Sequence, residues 1–269
     1  MGKIKKIAFI GMGKMGRPMS LNLLKAGFSL AVYARHPQQA AQVQAAGAVL
    51  FDTPAAAVAG ADAVITIVGG PQDVRELYLG EQGILQAARR GTCLMDMTSS
   101  SPELARELFA KGSAAGLGVL DIPVTGGDAG AADGTLTLLC GGREEDLAAV
   151  KDVLEVLGSN IVYEGPAGAG QQAKLVNQIM VAGSLAGMCE GFAFARALGL
   201  SPEKVLRSVS SGAAASRSLE LYGRRIVKGD RMPGGALRYL VKDLKNALRE
   251  IEHHRLDLNV TAAVLHNYA

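Results

Sequence analysis

Short apolar runs alternate with amphipathic, alanine- and leucine-rich segments through the first ~160 residues. The runs at 5–11, 29–35, 61–69, 91–99, 118–124 and 134–142 predict buried strands. Helical patterning fills 17–27, 36–47, 101–116 and 144–158, and a short strand "NIVYEG" follows. Gly27 stops the first helix. Ser101 and Pro102 start the third, as N-cap and first helical residue. Strand–helix alternation at this spacing predicts an α/β fold with a doubly wound parallel sheet.

The pattern changes after residue 164. No alternating strand follows. A helical run extends from about Gln171 to Leu198, Ser201 and Pro202 restart a helix, and further helices reach the end of the chain. The expected organisation is a Rossmann-type domain over 1–164 and an all-α domain over 165–269. The long helix is apolar nearly all round, with Ile179, Met180, Val181, Leu185, Met188, Phe192 and Phe194. Such a helix needs cover on most sides, which predicts a homodimer or homotetramer.

Composition narrows the class. Hydrophobic residues make up 49% and charged residues 20%, so a packed core is expected rather than disorder. The 34 glycines let helices sit close on a sheet. A net charge of +3, with scattered Lys and Arg, does not call for nucleic acid and suits a small anionic ligand. Cys93, Cys140 and Cys189 are far apart and have neither metal-type nor disulfide-type spacing, which predicts a reducing compartment and no metal site. The apolar run before the first motif glycine is far shorter than a signal-peptide core or the roughly 20 residues of a membrane span. A soluble cytoplasmic protein without membrane partners is expected.

Candidate chemistry begins at "GMGKMG", where Gly11, Gly13 and Gly16 have G-x-G-x-x-G spacing. The motif follows a predicted strand and opens a helix, the context in which it cradles a dinucleotide pyrophosphate. Met12, Lys14 and Met15 complete that loop. A carboxylate at the end of the second strand would favour NAD. The chain has Ala34 and Arg35 there instead, and a planar guanidinium suits the 2′-phosphate of NADP. NADP is therefore the expected coenzyme, with NAD allowed; a solvated surface arginine is the alternative reading of Arg35. Val68, next to the end of the 61–69 strand, is counted with the cofactor contacts. In "DMTSSSP", Thr98 and Ser99 lie just past a strand end and suit either the nicotinamide ribose or helix capping.

Two stretches point to a substrate. "DIPVTGG" runs from a strand into Thr125, Gly126 and Gly127, whose backbone N–H groups can form an anion nest, with the Thr125 hydroxyl beside them; a plain turn is the alternative. "GPAGAGQQAKLVNQ" carries Lys174 and Asn177, three apart on one helix face. A lysine in a cleft can exchange a proton with a carbonyl or hydroxyl oxygen, its pKa drawn toward working pH by desolvation and a neighbouring cation. From this stretch alone, a solvated surface lysine is the better reading.

The motifs "GMGKMGRPM", "DMTSSSP", "DIPVTGG…GTLTLLCGG", "GPAGAGQQAKLVNQ" and "VKDLKNAL" are co-linear over essentially the whole chain. Together they resemble the β-hydroxyacid dehydrogenases, which include 3-hydroxyisobutyrate dehydrogenase and tartronate semialdehyde reductase. The resemblance implies that Lys174 is catalytic, with Asn177 beside it. It implies that Thr125, Gly126 and Gly127 bind a substrate carboxylate. Ser99 and Lys242 would contact the cofactor, with Asp243 supporting Lys242. The chain departs from the family pattern in having Thr125 for the usual serine and Gly235 where many members carry an aromatic residue. Members also usually continue a few tens of residues past the point matching Ala269.

The resulting expectation is an NAD(P)-dependent oxidoreductase acting on a small anionic 3-hydroxy acid or its semialdehyde. Glyoxylate, succinic semialdehyde or an imine is the alternative acceptor on the same scaffold. A non-catalytic NADPH sensor or interaction module is the alternative outside enzymes. Decarboxylating 6-phosphogluconate chemistry would need a much longer helical domain.

Overall fold

The computed structural model describes residues 4–230, 232 and 235–269. Nine strands form one sheet: β1 (Lys6–Ile10), β2 (Ser29–Tyr33), β3 (Val49–Leu50), β4 (Ala63–Thr66), β5 (Cys93–Asp96), β6 (Gly118–Asp121), β7 (Val124–Thr125), β8 (Leu136–Gly141) and β9 (Gly158–Gly165). Their order is β3-β2-β1-β4-β5-β6-β8-β7, with β9 also paired to β8. From β3 to β6 every pairing is parallel. That is the doubly wound arrangement the alternating pattern predicts.

The strands are apolar on both faces because helices cover both. In β1, Ile7 and Phe9 enter one core cluster while Ala8 and Ile10 enter the other. In β4, Ala63 and Ile65 point one way and Val64 the other. A period of two across two buried layers reads as an uninterrupted apolar run.

The sheet departs from the all-parallel expectation at its far side. β8 runs antiparallel to β6 and β7 and parallel to β9. Between β7 and β8 stands only the seven-residue helix Gly127–Asp133. A connection that short does not return the chain for a parallel crossover, which takes a dozen residues or more.

From Ala169 the chain is helical. The 29-residue helix Ala169–Ala197 is followed by Pro202–Val209, a π-turn at Leu219–Gly223, and the helices Arg224–Val227, Leu237–His253 and Asn259–Tyr268. The chain divides into two compact units, one through Lys174 and one from Leu175 to Ala269. The first turns of the long helix belong to the sheet unit because buried side chains bind them there. Asp121, at the end of β6, accepts hydrogen bonds from the Gly168 and Gln171 N–H groups at 2.8 and 2.9 Å. The second unit has a small core of its own around Ala182, Leu244 and Val264.

Candidate active site

The glycine loop follows β1 directly. Gly11 has φ +109°, and a Cβ there would strike the Ile67 carbonyl oxygen. A Cβ on Gly16 would strike the Gly11 carbonyl oxygen and crowd the Phe9 ring. These two glycines exist for the turn itself and for close packing of helix on strand. Gly13 is different: a Cβ there meets nothing within 4 Å. Its emptiness faces outward, where a pyrophosphate would approach. The helix Gly16–Lys25 then starts with no side-chain cap and no acidic residue in its first turn, which leaves that end to an anion. Met12 is buried and anchors the loop, while Lys14 is exposed and Met15 half-buried. The geometry fits a dinucleotide.

Ala34 is buried just past β2, and Arg35 projects from the surface with its side chain 68% exposed. Its Nη2 donates to Asp73 Oδ1 at 2.5 Å. Asp73 is a functional candidate that reading along the chain misses. It lies 38 residues downstream in the first turn of the helix Pro71–Leu79, and only the fold brings it to Arg35.

Thr98 also has a part within the fold. It is buried, and its hydroxyl accepts the Val68 N–H at 3.0 Å. Thr98 therefore ties the two strand-end loops together, while Ser99 is half-buried beside it. Asp96 lies under this loop. Its Oδ1 accepts from the Thr66 hydroxyl at 2.9 Å and from Thr98 N–H at 3.1 Å, and Tyr78 closes the network on Thr66. Burial lifts the Asp96 carboxyl to about 6, against the pull of its hydrogen bonds to Thr98 and Thr66. Asp121, its register neighbour across the β5–β6 ladder, is lifted by burial to about 6 as well, opposed by backbone hydrogen bonds led by that from Gly168.

Gln171 joins these loops to the start of the long helix. Its Oε1 accepts from Ser100 N–H at 2.8 Å, and its Nε2 donates to the Thr98 carbonyl at 2.8 Å. One helical turn later comes Lys174, 8% exposed, whose Nζ donates to the Val124 carbonyl at 2.8 Å. Val124 immediately precedes Thr125, Gly126 and Gly127. Gly126 and Gly127 are exposed, with φ of +131° and +68°, and Thr125 is half-buried on β7. The lysine ammonium and the small-residue loop are thus physically joined within the sheet unit. The sequence carried a signal for Asp96 and Asp121, since each is an acid inside an otherwise apolar strand.

In the second unit, Asn177 Nδ2 donates to Gln178 Oε1 at 2.8 Å. Gln178 Nε2 donates to Asp243 Oδ2 at 2.6 Å, and Lys242 Nζ lies 2.8 Å from Asp243 Oδ1. Asn177 thus reaches the buried Asp243 through Gln178, so three expected site residues share one polar chain. Gln178 is its link, and nothing in the spacing singled it out.

Residues 6–165 match the model of the NAD binding domain of 6-phosphogluconate dehydrogenase. Residues 168–269 match that of the NAD-binding domain of NADP-dependent 3-hydroxyisobutyrate dehydrogenase.

The chain belongs to the β-hydroxyacid dehydrogenase family.

These are NAD(P)-dependent oxidoreductases. Within the family, the chain is 36% identical over 257 residues to 2-hydroxy-3-oxopropionate reductase of Escherichia coli, covering 96% of this chain and 88% of that one. It is 39% identical over 219 residues to the NAD-dependent L-serine dehydrogenase of Pseudomonas aeruginosa, covering 81% and 74%. The structure of Mycobacterium tuberculosis 3-hydroxyisobutyrate dehydrogenase with L-serine matches with a TM-score of 0.89 and 32% identity, covering 98% of this chain and 92% of that one.

Proposed function

We propose that this protein interconverts a short 3-hydroxy acid and its semialdehyde, with NADP preferred over NAD. The observation that carries the reading is the 2.8 Å hydrogen bond from Lys174 Nζ to the Val124 carbonyl. It sets a proton-carrying group one residue from a loop able to hold a carboxylate.

The roles follow from this chemistry. The N–H groups of Gly126 and Gly127, with the Thr125 hydroxyl, receive the substrate carboxylate. Lys174 gives a proton to the C3 oxygen in the reducing direction and takes one in the oxidising direction. Asn177 orients the same oxygen, and the Gln178–Asp243 hydrogen bond holds Asn177 and Lys242 in place. A bound nicotinamide supplies or accepts the hydride. For that coenzyme, residues 11–16 with Val68, Thr98 and Ser99 form the seat, Ala34 and Arg35 meet the adenosine end, and Lys242 with Asp243 makes a further contact.

L-Serine is itself a 3-hydroxy acid, and it figures in both the Pseudomonas relative and the Mycobacterium structure. It belongs in the same test as a second substrate. We also infer a homodimer or homotetramer working in the cytoplasm.

The deciding experiment follows nicotinamide absorbance with NADP and NAD against 3-hydroxyisobutyrate, glycerate and L-serine, and with NADPH against the matching semialdehydes, glyoxylate and a cyclic imine. Turnover of a 3-hydroxy acid or semialdehyde supports the reading. Turnover of the imine alone replaces it with imine reduction. Coenzyme binding with no turnover of any compound replaces it with a sensor.

A further inference from the structure

We propose that Asp73 sets the coenzyme preference, by competing with the 2′-phosphate of NADP for Arg35 and by accepting the 2′-hydroxyl of NAD. The inference rests on the coenzyme part of the reading above. Chain positions 34–36 leave β2 where dinucleotide folds hold the adenosine ribose, and no acid stands among them. The fold supplies one from elsewhere. Asp73 Oδ1 accepts from Arg35 Nη2 at 2.5 Å, and the carboxylate lies against the Gly69 backbone, where an added Cβ would strike Oδ2. This places it over the loop that continues from β4 and Val68, on the same rim as Arg35.

One guanidinium therefore faces two claimants. A phosphate carries close to two negative charges and takes an arginine best through two parallel N–H bonds. Asp73 already holds one of those donors and repels the phosphate that seeks it. Glu76, a turn along the same helix, adds to the negative field at Arg35. A ribose hydroxyl is a donor, so the same carboxylate attracts NAD. The Arg35 side of the pair is open to water, where ion pairs are weak enough for a phosphate to displace. The site then serves both coenzymes, with its NADP preference held down by Asp73.

The test measures the dissociation constants of NADPH and NADH by fluorescence for the full chain, for Asp73→Asn, for Arg35→Ala and for the double variant. Asp73→Asn is expected to tighten NADPH by about fivefold or more and to weaken NADH. In the Arg35→Ala background the NADPH gain is expected to shrink markedly, because the competition for the guanidinium is gone. NADPH affinity unchanged in Asp73→Asn, or the same change for both coenzymes, overturns the proposal. So does an NADPH gain of full size without Arg35. NADH binding by Asp73→Asn also reports that the variant is folded. A chain that discriminates coenzymes in this way but turns over no hydroxy acid leaves the inference standing and removes only the substrate reading. A wild-type chain that binds neither coenzyme overturns both.

Discussion

Lys174 donates to the Val124 carbonyl from a buried setting, and its proposed work is proton transfer. Lys174→Ala is expected to remove roughly two to four orders of magnitude from kcat, with coenzyme affinity little changed. A variant turning over near the wild-type rate would take the role away from Lys174. The paired carboxyls Asp96 and Asp121 make a second prediction at this scale. Both sit near 6, above the ordinary carboxylate range. The folded state therefore holds protons that the unfolded state has already lost, and the stabilisation this gives is complete below about pH 4 and disappears as pH rises through about 6. For one such group the change is on the order of 3 kcal/mol. Urea unfolding of wild type and Asp96→Asn across that window is expected to give a difference that varies with pH in this direction; a pH-independent difference would count against it. Lys174 was visible in the sequence only as an ambiguous lysine, since a side chain's burial is a property of what packs over it.

The glycine loop shows how much an element can say. Strand, three spaced glycines and helix were readable because each glycine answers a local demand. Their individual jobs were not readable, because those depend on neighbours far along the chain. Gly16→Ala is expected to lower Tm by several degrees, since its Cβ meets the Gly11 carbonyl and the Phe9 ring. Gly13→Ala is expected to keep the wild-type Tm while weakening coenzyme binding about tenfold or more, since its Cβ enters space that only a ligand would fill. Equal Tm losses in both variants would contradict this division. The start of the long helix teaches the complementary lesson. The change of pattern places the domain division at 164–165, yet Asp121 and Gln171 fasten the first turns of the helix to the sheet unit. An acid at the end of β6 announces a buried need, but not its partner 50 residues away.

For the whole molecule, the second unit is thinly cored. Its long helix exposes Val176, Met180 and Phe194, and Leu198 follows just past its end, each more than half accessible in one chain. The helix is also long and apolar enough, by length and composition, to cross a membrane. We propose that a second copy covers this face. Sedimentation is expected to give a dimer or tetramer mass, and Phe194→Glu with Met180→Glu to shift it toward monomer. A monomeric wild-type chain would remove the proposal. The sequence by itself determined the main strand–helix alternation, the parallel half of the sheet and the dinucleotide loop, because those follow from periodicity and local backbone demands; it did not show the two-residue strand β3 or the helix Pro71–Leu79, which are too short or too irregular in pattern to stand out. Only the tertiary structure decided that Arg35 meets Asp73, that Thr98 turns inward to Val68, that β8 runs antiparallel and that Lys174 meets Val124. Each of these joins residues distant in sequence, and which distant groups meet is settled by how layers pack and which buried polar groups must find partners.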